Sequence, residues 1–156
     1  MQARSLLRRA LPFALAFAAL QFGWQCLREG SAGRFVIEMA TARPAAALVN
    51  LVTPGAHAHA QGSTVQARGG GLHIINGCDG TETLFLLAAA FVAAPIAPRA
   101  RLTGFLIGTL VVFAVNQLRI LALFYVLRGE PAWFEALHAT ITPIGVVLLV
   151  ALYFHA

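Results

Sequence analysis

The stretch "LTGFLIGTLVVFAVNQLRILALFYVL", Leu102–Leu127, decides the class of fold. A helix needs roughly 20 predominantly apolar residues to cross the hydrocarbon of a bilayer. This run exceeds that length and holds one charge, Arg119. Three further apolar runs accompany it: Ala10–Leu27, Thr83–Pro98 and Ala136–Phe154. The chain of 156 residues is 59% hydrophobic and only 11% charged, whereas soluble domains carry about 25% charged residues. The expectation is an all-α integral membrane helical bundle of about four transmembrane helices, at 10–27, 83–98, 102–127 and 136–154 of a single membrane domain, 1–156. Residues 28–82 are left as an outward-facing loop region.

The charges give an orientation and exclude a partner. Every basic residue is arginine, and these arginines are scattered between apolar runs rather than gathered into a stripe with interleaved aromatics. A nucleic-acid partner is therefore not expected. Arg4, Arg8 and Arg9 precede the first run, and Arg99 and Arg101 lie in the "PRAR" connection between the second and third. Positive residues at helix ends stay on the cytoplasmic side, so both groups belong inside. The competing reading of the first run is a cleaved signal peptide, although no small-x-small site follows closely except weakly around "GSAG".

Within the outward region, "RFVIEMATARPAAALVNLV" has apolar residues at helical spacing, broken near Pro44. It reads either as a helix on the membrane surface or as a helix packed on the solvent side. "STVQARGGGLHIIN" predicts a small hairpin around Gly69, Gly70 and Gly71. "PGAHAHAQG" offers His57 and His59 without a cysteine or acid near enough to complete a metal site. A flexible loop is expected there, with no metal.

Three unusual residues converge in depth. At a rise of about 1.5 Å per residue, Arg119 lies roughly 27 Å from Arg101, His138 about 25 Å from His155, and Cys78 roughly 30 Å from Arg99 if that whole stretch is helical. All three reach the outer boundary of a hydrocarbon layer about 30 Å thick. Taken singly, each has a plain reading. Cys78 could pack or pair with Cys26 in a disulfide, Arg119 could snorkel to headgroups, and His138 could be an interfacial polar residue. Together they form a set suited to nucleophilic acyl transfer, in which a thiolate attacks and nearby positive charge lowers the thiol pKa. An arginine held within a membrane segment is a functional candidate in its own right. Asp79 and Glu82 have the spacing of a capping box, and Asn116, one turn before Arg119, is placed to hold the guanidinium or to donate to a reacting carbonyl.

The segments "NGCDGTETLFLL", "NQLRI" and "LHATITPIGVVLL" resemble the three signature regions of exosortases and archaeosortases, and the chain is similar to the compact exosortase M type. The resemblance spans about residue 72 to the C-terminus. It implies a membrane-embedded cysteine peptidase or transpeptidase with Cys78 as nucleophile, Arg119 as essential arginine and His138 as third catalytic member. Asn116, Asp79 and Glu82 are the expected supporting or substrate-binding residues. No cofactor is implied. The implied partner is an exported protein ending in a short motif, a transmembrane helix and a basic tail, cleaved at the periplasmic face of a bacterial inner membrane. Asp79 follows the cysteine where a small residue is usual, which points to a subtype with its own signal preference. Two readings from other classes stand beside this one: a non-catalytic assembly or transport subunit of the membrane, and a thiol oxidoreductase using Cys26 and Cys78.

Overall fold

A computed structural model describes residues 2–75 and 77–155, with side chains from residue 10 onward, so the side chains of Arg4, Arg8 and Arg9 and the whole of Asn76 lie outside the described residues. The elements are α1 (Gln2–Leu27), α2 (Ser31–Val52), β1 (His59–Gln61), β2 (Thr64–Ala67), β3 (Gly70–His73), α3 (Thr81–Ala93), α4 (Pro98–Gly129) and α5 (Pro131–His155). The 18 residues Ala10–Leu27 of α1, together with α2, α4 and α5, are long and apolar enough to cross a membrane by length and composition. At 13 residues, α3 is a shorter apolar helix. Large apolar side chains point outward along the bundle, among them Phe22, Leu110 and Leu152. Such a continuous apolar exterior suits lipid rather than water.

The connection between α3 and α4 is not where the apolar run ends. The helix expected over 83–98 stops at Ala93, and Pro98 opens the next one. Proline is favoured at the first helical position, where its missing N–H would have no partner anyway. "PRAR" is accordingly the first turn of α4. Arg101 Nη2 reaches back to donate to Ala94 O at 3.0 Å, next to the end of α3, where carbonyls are left without helical partners.

Nor is α2 broken at Pro44. A π-helical stretch, Phe35–Ala42, precedes the proline, and Thr41 Oγ1 donates to Val36 O at 2.8 Å across this widened turn. Pro44 has no N–H for the carbonyl of Ala40 one turn earlier, and the side-chain amide of Gln117 in α4 donates to that carbonyl instead, at 3.3 Å. The break expected from sequence is thus repaired by a residue far along the chain. Ala40 meets Gln117, and Thr53, just past the helix, meets Tyr125 Oη at 2.6 Å. By these contacts α2 climbs beside the Cys78 half of α4 and does not return to the Arg99–Arg101 end.

The predicted hairpin forms, with a third strand added. The sheet is antiparallel in the order β1-β2-β3, with Val65 opposite Leu72 and Ala60 opposite Val65. Gly62 (φ 57°) and Gly69 (φ 85°) carry positive φ at the two tight turns, a conformation glycine supplies at no steric cost. The segment expected to be a flexible loop instead enters β1 at His59. Asn50 orders its approach: the side-chain amide accepts from Ala58 N and donates to Ala58 O, each at 2.7 Å.

Two cores result. One lies where the sheet covers the ends of α2 and α4, and includes Val49, Val65, Leu72, Ile120, Phe124 and Cys78. The other, nearer the Arg99 end, joins α3, α4 and α5 through Leu87, Phe91, Val112 and Val150. Here Gly104 and Gly108 let the helices approach closely, and Tyr153 Oη donates to Gly104 O at 2.6 Å. Small residues serve the same purpose wherever helices must pack without a hydrophobic drive from lipid.

Candidate active site

Cys78 stands in the tight connection from the sheet to α3. Its N–H donates to Ile75 O at 3.0 Å, and Gly77 (φ 91°) and Gly80 (φ 82°) on either side take backbone conformations that a side chain would strain. Asn116 Nδ2 donates to Cys78 O at 3.2 Å and holds this turn against α4. The approach is close enough that a Cβ at Gly80 would lie 3.0 Å from Asn116 Cγ.

The other two members arrive on separate helices. His138 lies in a second π-helical stretch, Leu137–Ile141, at the start of α5; single wide turns of this kind are frequent at functional sites. Thr142 Oγ1 donates to Leu137 O at 2.7 Å and closes that turn. Phe134, one turn earlier, stacks on the imidazole with centroids 5.5 Å apart. Nδ1 of His138 is 3.7 Å from Cys78 Sγ. Arg119 Nη2 is 4.0 Å from the same sulfur and donates to His138 O at 3.3 Å, while its Nε donates to Thr142 Oγ1 at 2.9 Å. Sulfur, imidazole and guanidinium therefore meet.

The supporting residues depart from expectation. Asp79 does not cap α3 at the N-cap position; Gly80 occupies it. One oxygen of Asp79 accepts from Thr81 Oγ1 at 2.9 Å and from Thr81 N at 3.4 Å, a local turn of the kind aspartate forms just before a helix. Glu82 is exposed in the first turn of α3, and among the described residues its carboxylate has no hydrogen-bond partner. Asn116 holds the peptide of Cys78 rather than the guanidinium of Arg119. Both cysteines are free, Cys26 exposed and Cys78 buried.

The thiol pKa runs opposite to expectation. Burial pushes Cys78 up from its ordinary value, Arg119 pulls it down, and Asp79 and Glu82 push it up again. One guanidinium 4.0 Å away does not offset the loss of water around a sulfur that is 8% exposed. The upward shift favours the thiol form, and its sulfur faces an imidazole nitrogen at 3.7 Å.

A cleft of about 120 Å³ opens on this sulfur, lined by Cys78, His138, Phe134, Ile120 and Leu123 on one side and Leu72–Ile75 on the other. A larger recess, about 620 Å³, lies between Pro44–Leu51 and Phe113–Leu118 and carries no titratable group. Of these two, the smaller one holds the thiol and the imidazole. Thr142 and Phe134 did not figure in the sequence argument, yet Phe134, His138 and Thr142 recur at intervals of four, one helical face.

The fold and this thiol–imidazole–guanidinium cluster define a multi-helical membrane protein with a cysteine site at one end of its bundle. Residues 1–155 match the transmembrane exosortase family, and the chain belongs to that family. No curated protein and no solved structure matches it.

Proposed function

We propose that the protein is a membrane-embedded cysteine peptidase or transpeptidase that cleaves C-terminal sorting signals of exported proteins at the periplasmic face of the inner membrane. The observation that carries this reading is the meeting of Cys78 Sγ with His138 Nδ1 at 3.7 Å and Arg119 Nη2 at 4.0 Å. The neutral thiol hands its proton to His138 Nδ1 as the sulfur attacks the scissile carbonyl. The carbonyl oxygen becomes an oxyanion, and Arg119 is the charged donor next to it. Collapse breaks the C–N bond, His138 protonates the departing amine, and a thioester on Cys78 remains. An acceptor amine or water then attacks the thioester, its proton passes through His138 to sulfur, and the free thiol returns. Asn116 holds the nucleophile's turn, and Asp79 and Glu82 flank it.

A non-catalytic assembly or transport subunit is the second reading, and one observation favours it: the burial that keeps Cys78 protonated also suits an inert packing thiol. Co-expression separates the two. The partner is an exported protein ending in a short motif, one apolar span and an arginine cluster. The wild-type chain should shorten it, and Cys78→Ala should let the full-length form accumulate. Normal processing by Cys78→Ala ends the peptidase reading and leaves the subunit.

A further inference from the structure

We propose that the open edge of β3 is a docking strand, on which an extended segment of the substrate pairs with the backbone of Gly71 and His73 and is led into the cleft beside Cys78. This rests on the thiol-transfer reading of that cleft and adds to it how the peptide is held.

The register fixes which backbone groups are free. Ile74 N donates to Ser63 O at 2.8 Å, continuing the antiparallel pairing in which Leu72 opposes Val65 and Gly70 opposes Ala67. In such a ladder successive residues turn their N–H and C=O to opposite sides. Gly70, Leu72 and Ile74 therefore face β2, and Gly71 and His73 face away from it. Among the described residues none bonds to the outward groups of Gly71 or His73. Open edges are a liability that proteins usually cover; beside the opposite strand, the amide of Asn50 occupies both groups of Ala58, the residue just before β1.

The unpaired edge borders the site. Four consecutive residues, Leu72, His73, Ile74 and Ile75, line the cleft that contains Cys78. Leu72 and His73 end β3, and Ile74 and Ile75 carry the chain from it toward Cys78, so the cleft adjoins the end of this strand. The strand runs toward the turn in which Cys78 N bonds to Ile75 O, so a peptide paired beside Gly71 and His73 runs on toward the sulfur. Strand addition of this kind draws its affinity from main-chain hydrogen bonds and its selectivity from pockets for alternate side chains. Leu72, Ile120, Leu123 and Phe134 make the pocket next to the sulfur apolar, which selects an uncharged residue beside the scissile bond.

The test uses the full chain in lipid nanodiscs and follows alkylation of Cys78 by two chloromethyl ketones, acetyl-alanyl and acetyl-tetraalanyl. The longer reagent should react about tenfold faster, the worth of roughly two net backbone hydrogen bonds. N-methylation of its amides one at a time should abolish the gain at alternate positions only. His73→Pro, which removes the N–H of an edge residue, should also reduce the gain. Equal rates for the two reagents at a reactive Cys78, or N-methyl effects without alternation, overturn the docking strand alone. A Cys78 that neither these reagents nor iodoacetamide modify overturns the thiol-transfer reading, and the docking strand with it.

Discussion

Arg119 and Thr142 meet across the interface of α4 and α5, Nε donating to Oγ1 at 2.9 Å. The same hydroxyl donates to Leu137 O and closes the wide turn that presents His138. One side chain thereby ties the guanidinium to the helix that carries the imidazole, and the positions of two members of the site depend on a third residue that touches neither the sulfur nor the cleft.

Replacing that hydroxyl tests whether it positions Arg119. Thr142→Val keeps the shape and removes the acceptor, a loss of about 1.5 to 3 kcal/mol for a hydrogen bond to a charged group, or roughly a ten- to hundredfold fall in kcat. KM should move less, and Thr142→Ser should restore most of the rate. A purely structural role predicts instead that Ser and Val lose stability alike, with kcat per folded molecule unchanged.

The raised thiol pKa sets a pH dependence. Below its pKa Cys78 is S–H and above it is thiolate, so alkylation by iodoacetamide should climb with pH and level off only above the ordinary thiol range. Arg119 is the charged group that lowers this pKa. Arg119→Gln should therefore move the midpoint further up and slow labelling at neutral pH. A wild-type midpoint near or below pH 7 would show a preformed thiolate and refute proton transfer coupled to attack.

Gly80 is expected to be intolerant of any side chain. Its φ of 82° disfavours L-residues, and a Cβ there would stand 3.0 Å from Asn116 Cγ, on the residue that holds Cys78 O. Gly80→Ala should cost about 1 to 3 kcal/mol of strain and reduce processing. Gly55→Ala, with nothing within 4 Å of its Cβ, is the matched control. Equal melting temperatures for the two variants would show that the turn has room the geometry does not reveal.

What the sequence disclosed depended on whether a property is local. Apolar run length marked α1, α4 and α5 because crossing a bilayer constrains each segment by itself, and helical rise placed Arg119 and His138 at one depth; the same arithmetic for Cys78 assumed helix all the way to Arg99, whereas only Thr81–Ala93 is helical before Pro98. The continuation of α2 through Pro44 was hidden because its remedy, Gln117, lies in another helix. β1 was hidden for the same reason, since Asn50 orders Ala58 from outside the strand. The direction of the Cys78 pKa was misjudged because burial comes from residues of β3, α4 and α5 packed around it, while the charges near it in sequence were visible at once. The capping box failed on the backbone: Gly80 turns left-handed at the N-cap, and Asp79 is left one residue too early.

The close crossing of α3, α4 and α5 gives the last prediction. A Cβ at Gly108 would come within 2.6 Å of Leu87 Cδ2 and 2.7 Å of Tyr153 Cε1. Leu87 is 1% exposed, so it has little space into which to move. Overpacking a tight core costs about 1 to 3 kcal/mol, and Gly108→Val adds two methyl groups beyond that Cβ. The melting temperature in detergent should fall by ~2–12 °C, whereas Gly23→Ala and Gly145→Ala, open within 4 Å, should leave it near the wild-type value. Iodoacetamide labelling of Cys78 gives the second readout. Because the crossing lies in the other core, toward the Arg99 end, labelling at temperatures below the new melting point should match the wild type. Faster labelling of the folded variant would mean that the two cores are coupled, and that packing at the Arg99 end helps to bury the thiol.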